Sequence, residues 1–247
     1  MKRLVDLLRI NEVRFTAIVL SVMTIGAVIS LRGNLMSGGA VPCMYDIYLV
    51  GVMHVVSTFC VPFALFYILF VERYNQRPMQ VIREGRVINV WKRSVVDLFI
   101  LTVFFTLYVF VLTTIAGLVL TDRFYNWNEL NSRCMAWSGR ICEEQPSFVL
   151  LLISYIVETF ETFLAAGIIM LGVWWGTNKE WAGYLASIAL ITVDKAGVCD
   201  GIIFSKYYIA GATYKKGLSI SNNVIYPLLA AIIVFALVNV LVRFKKK

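Results

Sequence analysis

The sequence predicts an all-α integral membrane protein, one transmembrane domain over residues 1–247. It has six transmembrane helices, an amphipathic interface helix at the N-terminus and a short cytoplasmic helix between spans two and three. Three observations predict this. First, 60% of the 247 residues are hydrophobic and only 15% charged, where a soluble domain has about 45–50% and about 25%. Second, the mean hydropathy is +0.77, more apolar surface than a single core of this size can absorb, so the bilayer must be a second apolar solvent. Third, the apolar residues come in span-length runs separated by basic segments. These features exclude a soluble enzyme, a nucleic-acid binder and a disulfide-knit secreted domain. The net charge of +8 is spread as orientation charge rather than as a patch for an acidic partner.

Taken in order, residues 1–13 form the interface helix. Leu4, Val5, Leu7 and Leu8 fall on one helical arc and Lys2, Arg3, Asp6 and Arg9 on the other, a basic amphipathic pattern that lies on an inner membrane surface. A cleaved signal peptide is the competing reading, and no small-x-small site before Arg32 favours it. The spans are residues 15–31, 47–71, 98–120, 148–175, 181–204 and 224–242. A bilayer crossing needs about 20 apolar residues. Five runs meet that directly; in the fifth span, residues 181–193 are apolar and the continuation past Asp194, Lys195 and Asp200 breaks or turns.

Positive charge in short loops stays on the cytoplasmic side. Fifteen Lys and Arg fall on the side holding both termini, against eight opposite, so both termini are expected in the cytoplasm of a multi-pass cell-membrane protein. Trp174, Trp175 and Trp181 bracket the tight turn between spans four and five, as an interfacial belt does. Cys43, Cys134, Cys142 and Cys199 fall outside and Cys60 within the second span. Cys134 and Cys142 flank a seven-residue loop and are a candidate local disulfide. Free thiols are the alternative, and four outer cysteines allow three pairings. Cys-x7-Cys with no nearby His is no zinc pattern.

Motifs for catalysis are absent from the sequence. There is no phosphate-binding G-x-x-x-x-G-K-[ST], no H-E-x-x-H around the lone His54, and no G-x-S-x-G. The chain is therefore not expected to be an enzyme by itself. Two other features stand out. Glu158 and Glu161 share a helical face in mid-span, with no mid-span Lys or Arg to neutralise them. His54 reaches a depth within about 5 Å of Glu158, counted from the run starts at about 1.5 Å per residue. Helix packing, a hydrophilic lining for a solute, and a proton- or cation-coupling site are the open readings of this pair. The other feature is the cytoplasmic segment 72–97. Pro78 suits the first turn of a short helix that Gly85 ends, with Met79, Ile82 and Arg83 along one side.

The layout resembles the ABC-2-type permease subunits of ATP-binding-cassette exporters, in particular small bacterial permeases for peptide or lantibiotic export and immunity. The order of elements carries the resemblance along the whole chain; at residue level it is confined to Glu72–Lys92 and the terminal Phe-Lys-Lys-Lys. The resemblance implies that segment 72–97 is a coupling helix docking into a separate cytoplasmic ATPase dimer. Its matching positions are Glu72, Met79, Val81, Ile82, Arg83, Arg86 and Lys92. It also implies a second permease subunit, identical or paralogous, surrounded by membrane lipid, with no nucleic-acid partner. This chain would bind no cofactor, ATP and Mg being held by the partner. In the family the link between spans five and six commonly forms a re-entrant pair of short outer helices, which residues 194–223 could supply. The outer loop 121–147 is longer than that family suggests. His54, Glu158 and Glu161 then become polar candidates along a path for an amphiphilic substrate. Two other classes stay open: an ion-gradient-driven secondary transporter or channel using those three residues, and a non-transporting scaffold or sensor. The two halves show no internal repeat of the kind many secondary transporters show.

Overall fold

A backbone in lipid has no water to bond, and a helix satisfies its own amides, so each apolar run resolves as a helix. The computed structural model describes residues 13–36, 39–142, 145–195 and 218–245. Among the described residues the regular structure is helical, with one isolated bridge between Val41 and Ser132. Helix α1 is Val13–Leu35. The second leg is built from α2 (Met44–Val50), a π-helical segment π1 (Gly51–Cys60) and α3 (Val61–Asn75). The short α4 (Pro78–Glu84) leads to α5 (Val87–Leu120), and α6 (Arg133–Ser138) lies in the following connection. Then come α7 (Phe148–Thr177), α8 (Glu180–Lys195), a second π-helical segment π2 (Ser221–Ile225) and α9 (Tyr226–Lys245).

Five helices are long and apolar enough to cross a membrane, at Phe15–Leu35, Val55–Asn75, Val87–Leu120, Phe148–Thr177 and Ser221–Val242. The protein is a multi-pass membrane protein. Of the expected 181–204 span, α8 supplies the part up to Lys195 and the rest lies outside the described residues, as do residues 1–12 of the expected interface helix. Most of the segment 72–97, expected as a cytoplasmic stretch with one short helix, is helical. Helix α3 continues to Asn75 and α5 begins at Val87, because a helix runs on past its lipid-buried part wherever its polar residues find partners.

Both π segments end just before a proline, Pro62 and Pro227, each the second residue of the helix that follows. The amides of Val61 and Tyr226 reach back five residues, to the carbonyls of Val56 and Ser221. Proline has no N–H and its ring collides with the carbonyl four residues back. Widening the turn before it moves that carbonyl away while the backbone stays helical.

Helix α7 is central, packing on α5, α8, α9 and the α2–π1–α3 leg. Its neighbours fix the register. Gly51 sits against Tyr155, where an added Cβ would lie 3.2 Å from the ring, and Trp175 Nε1 donates to Glu72 Oε1 103 residues away. The second leg therefore runs parallel to α7, with position 54 level with Glu158. Gly172 meets Val238, so α9 is also parallel to α7 and π2 is level with Tyr155–Thr159. Helix α8 runs back antiparallel: Ser187 Oγ donates to the Ala166 carbonyl at 2.7 Å, and Gly183 lies against Met170. Phe15 packs on Phe70, 4.6 Å between ring centroids, and Trp91 Nε1 donates to Asn239 Oδ1. Residues 13 and 245 therefore lie at one end of the bundle, called the basic end; residues 41–46 and 121–142 form a cap at the other.

Apolar faces turn outward on the peripheral legs, with Ile25 and Ile29 on α1, Leu107 and Val111 on α5, and Ile232 and Leu241 on α9 all exposed. A soluble protein would bury such faces; in lipid their exposure costs nothing.

Candidate functional site

Three polar constructions interrupt this apolar bundle. The first is at the basic end, around α4. Pro78 opens the helix and Gly85, at φ 69° in the left-handed region that glycine tolerates, ends it by donating to the Val81 and Ile82 carbonyls. Met79 and Ile82, three apart on one face, are 81% and 76% exposed. Val81 turns the other way and packs against the bundle core. Arg86 and Lys92 are exposed beside them, while the side chain of Arg83 lies outside the described residues.

Glu72, which opens the segment, is buried rather than on that exposed surface. It is 2% exposed, and its Oε1 accepts from Trp175 Nε1 at 2.8 Å and Gln76 Nε2 at 2.9 Å. Trp91 and Trp175 stack edge to face above it, 5.3 Å between centroids. What attaches α4 to the bundle is a chain of bonds absent from the sequence reading. Arg93 Nη1 donates to Glu84 Oε1 at 2.9 Å, and its Nε lies 3.9 Å from Asp97 Oδ2. Buried Asp97 in turn accepts from Asn75 Nδ2 at 3.1 Å. Asn89 Nδ2 also caps the Glu84 carbonyl at 3.0 Å. The Arg93–Asp97 spacing is a readable i,i+4 pair; the Glu84–Arg93 pair spans the α4–α5 break and had no sequence signal. Arg73 forks onto both carboxylate oxygens of Glu180, closing α3 onto α8 at the same end. The Glu84–Arg93 ion pair is about a quarter exposed on each side, so its coupling in a double-mutant cycle should be about 0.5 kcal/mol. A coupling above about 2 kcal/mol would mean the pair is desolvated in the assembled protein.

The second construction is in mid-membrane. Glu158 and Glu161 are both 3% exposed, and Ser154, Glu158 and Glu161 form one stripe of α7 at i, i+4 and i+7. Thr162 Oγ1 donates to the Glu158 carbonyl at 2.7 Å and lies 3.4 Å from Glu161 Oε2. Asp194, near the end of α8, is also buried. Ser154 Oγ and Glu161 Oε1 have no hydrogen-bond partner among the described residues. Position 54 is level with Glu158, as the two parallel contacts require; the side chain of His54 lies outside the described residues.

The third construction is the cap. Buried Asp46 opens α2; its Oδ2 accepts from the Cys43 amide at 2.9 Å and its Oδ1 from Trp127 Nε1 at 2.9 Å. Arg133, 1% exposed, donates to the Leu35 carbonyl at 2.8 Å, satisfying the last turn of α1, with its guanidinium 5.7 Å over the Trp137 ring. Asn126 Nδ2 ties the loop to the Val41 carbonyl at 2.8 Å. Residues 121–142 are stitched to the end of α1, to the Val41 backbone and to the start of α2.

Cys43, Cys134 and Cys142 pack into the same cap cluster and are free thiols, the alternative to the Cys134–Cys142 bridge. Burial, then the Asp46 charge, raises the Cys43 thiol from 9.0 to about 12. Burial, partly offset by the Ser138 hydroxyl, raises Cys134 from 9.0 to about 11. A thiol raised in the folded state stabilises it while protonated, so this contribution is complete below pH 9 and is lost as pH rises towards 12. In maleimide labelling at neutral pH, partly exposed Cys142 should react first, with Cys43 and Cys134 protected until the cap opens. Equal rates for all three would contradict the burial. Trp127→Phe keeps the ring but strands Asp46 Oδ1, which should lower stability by about 1–3 kcal/mol and speed proteolysis within 121–142.

Comparison with protein-family models, with curated proteins and with solved structures finds no match for this chain. Among the described residues no His, Cys, Asp or Glu cluster could hold a metal ion by three such ligands.

Proposed function

We propose that this chain is the transmembrane permease subunit of an ATP-driven ABC exporter, forming half of a translocation pathway for an amphiphilic substrate such as a peptide, an antibiotic or a lipid. The observation that carries the reading is the exposed Met79–Ile82 pair on α4. Two large apolar side chains facing water on a short, capped helix are costly for an isolated protein and are what a protein partner covers. The basic end, rich in Lys and Arg, is assigned to the cytoplasm, and the cap to the exterior. A soluble ATPase subunit would cover α4, with ATP and Mg bound to it and none to this chain.

Force applied at Met79 and Ile82 has a defined route into the membrane. Helix α4 is tied through Glu84, Arg93, Asp97 and Asn75 to the ends of α3 and α5. Displacement of α4 would therefore shift those two helices together, the rigid-body mode that alternating access uses. The second permease subunit, identical or paralogous, would complete the pathway.

The test is purification from the native host in mild detergent. A nucleotide-binding subunit should accompany the chain, and Met79→Asp with Ile82→Asp should release it while the permease remains folded. The reading fails when no ATPase co-purifies, or when hydrolysis and association are indifferent to both substitutions.

A further inference from the structure

Helix α5 runs antiparallel to α7, since Thr113 meets Tyr155 and Trp91 meets Trp175, and so it is antiparallel to α9 as well. The two are bridged at the basic end by Trp91 Nε1 donating to Asn239 Oδ1 at 2.9 Å. Between them lies a groove of about 560 Å³, within the range of about 300–1,000 Å³ that small-molecule sites occupy. Its floor is apolar, with Val95 and Val96 from α5 and Phe235 and Ala236 from α9; Trp91, Asn239 and Lys92 form its polar end. Both helices are long and apolar enough to cross a membrane, and Val96 and Ala236 stay exposed. The groove therefore opens sideways, onto lipid.

A second, independent observation is electrostatic. Lys92 is exposed and makes no ion pair or hydrogen bond among the described residues. Its neighbours one turn away on α5 are Ile88, Asn89, Val95 and Val96, and no Asp or Glu lines the groove. Adjacent Arg93, by contrast, is held by Glu84 and Asp97. Lys92 lies six residues before the apolar run that starts at Leu98, about 9 Å along the helix at about 1.5 Å per residue. The headgroup layer is roughly 5–8 Å deep on each side of the hydrocarbon, so the ammonium stands at phosphate level while the groove floor reaches the acyl chains. A cation without a carboxylate, above an apolar groove, is complementary to a lipid that carries net negative charge. A second copy seated there would instead set two basic ends side by side.

We propose that the α5–α9 groove at the basic end holds one anionic phospholipid, with an acyl chain along Val95, Val96, Phe235 and Ala236 and its phosphate at the Lys92 ammonium. The Trp91–Asn239 bond sets the spacing of the two helices beside it, so the site is formed before lipid arrives. The proposal goes beyond the ATPase reading and uses neither Met79 nor Ile82.

The purified full-length chain in mild detergent is titrated with phosphatidylglycerol, phosphatidylcholine or inorganic phosphate, following the unfolding midpoint and weighing the retained lipid by mass spectrometry. The midpoint should climb and saturate with phosphatidylglycerol, one molecule staying on each chain, and should stay level in phosphate. Lys92→Gln changes an exposed side chain, so the variant folds, and its half-saturating phosphatidylglycerol concentration should rise about fivefold, the effect of one cation at a membrane surface. That would bring it to the value for phosphatidylcholine. Ala236→Trp fills the groove from an exposed position and should remove the retained lipid. Lys179→Gln, exposed at the same end but outside the groove, should behave as wild type. Met79→Asp with Ile82→Asp should also keep the lipid response, which separates this result from any failure of partner docking. Equal responses to the two lipids, a phosphate response matching that to phosphatidylglycerol, a Lys92→Gln titration like wild type, or a lipid-free pair of chains that Ala236→Trp breaks apart each overturn the proposal.

Discussion

Gly183→Leu should separate α7 from α8 and cost about 3 kcal/mol or more. An added Cβ at Gly183 would lie 2.3 Å from the Met170 carbonyl oxygen and 3.2 Å from Trp174 Cβ. The first of these is main chain on the central helix and cannot rotate aside, so the helices must move apart. In lipid the association of helices depends on close packing rather than on hydrophobic transfer, which leaves little to compensate for the gap. Over-packed sites in well-ordered cores lose about 1–3 kcal/mol even where side chains yield. The lost contacts include the Ser187 bond to the Ala166 carbonyl. The measurement is the thermal midpoint in detergent, with Gly176→Leu as the control, because nothing lies within 4 Å of a Cβ there. Comparable losses for the two variants would refute the packing argument.

Glu72→Ala is the second large effect. The substitution leaves Trp175 Nε1 and Gln76 Nε2 without their shared acceptor in a buried site. Hydrogen bonds to charged acceptors contribute about 1.5–3 kcal/mol each, and a stranded buried donor about 1–3 kcal/mol, so a loss of about 3 kcal/mol is expected. Glu72→Gln keeps an oxygen acceptor and should recover most of it. Because Trp175 also stacks on Trp91, intrinsic tryptophan fluorescence should shift in the alanine variant and stay near wild type in the glutamine one. A glutamine variant as unstable as the alanine one would mean that the charge, not the acceptor, is what the site needs.

The long runs were readable because lipid imposes one rule on every residue of a span: apolar side chains over about 20 positions. That rule located the helices now described as α1, α3, α5, α7 and α9. It failed at their ends. The α5 helix begins eleven residues before the apolar run it carries, since Trp91, Ser94 and Asp97 are buried through partners on other elements. The α4 helix was readable from Pro78 and Gly85, a local signal. Its inward and outward faces were not fully readable: Met79 and Ile82 do face out, but Glu72 belongs to the interior because Trp175 stands next to it. Neither the Glu72–Trp175 nor the Asp46–Trp127 bond has any local trace, the partners being 103 and 81 residues apart.

Taken alone, the order of amino acids determined that the chain is a multi-pass membrane protein and where its five long apolar helices lie. Each of these depends on composition within a single segment, summed over its length. Tertiary structure alone decided which carboxylates are hydrogen-bonded, that the 121–142 connection is a stitched cap, and that two π segments lie level with Glu158 and Glu161. The physical reason is that partners, register and depth are properties of pairs of helices. A transfer energy can be assigned to one residue, whereas a hydrogen bond or an ion pair exists only where two distant segments arrive at the same height.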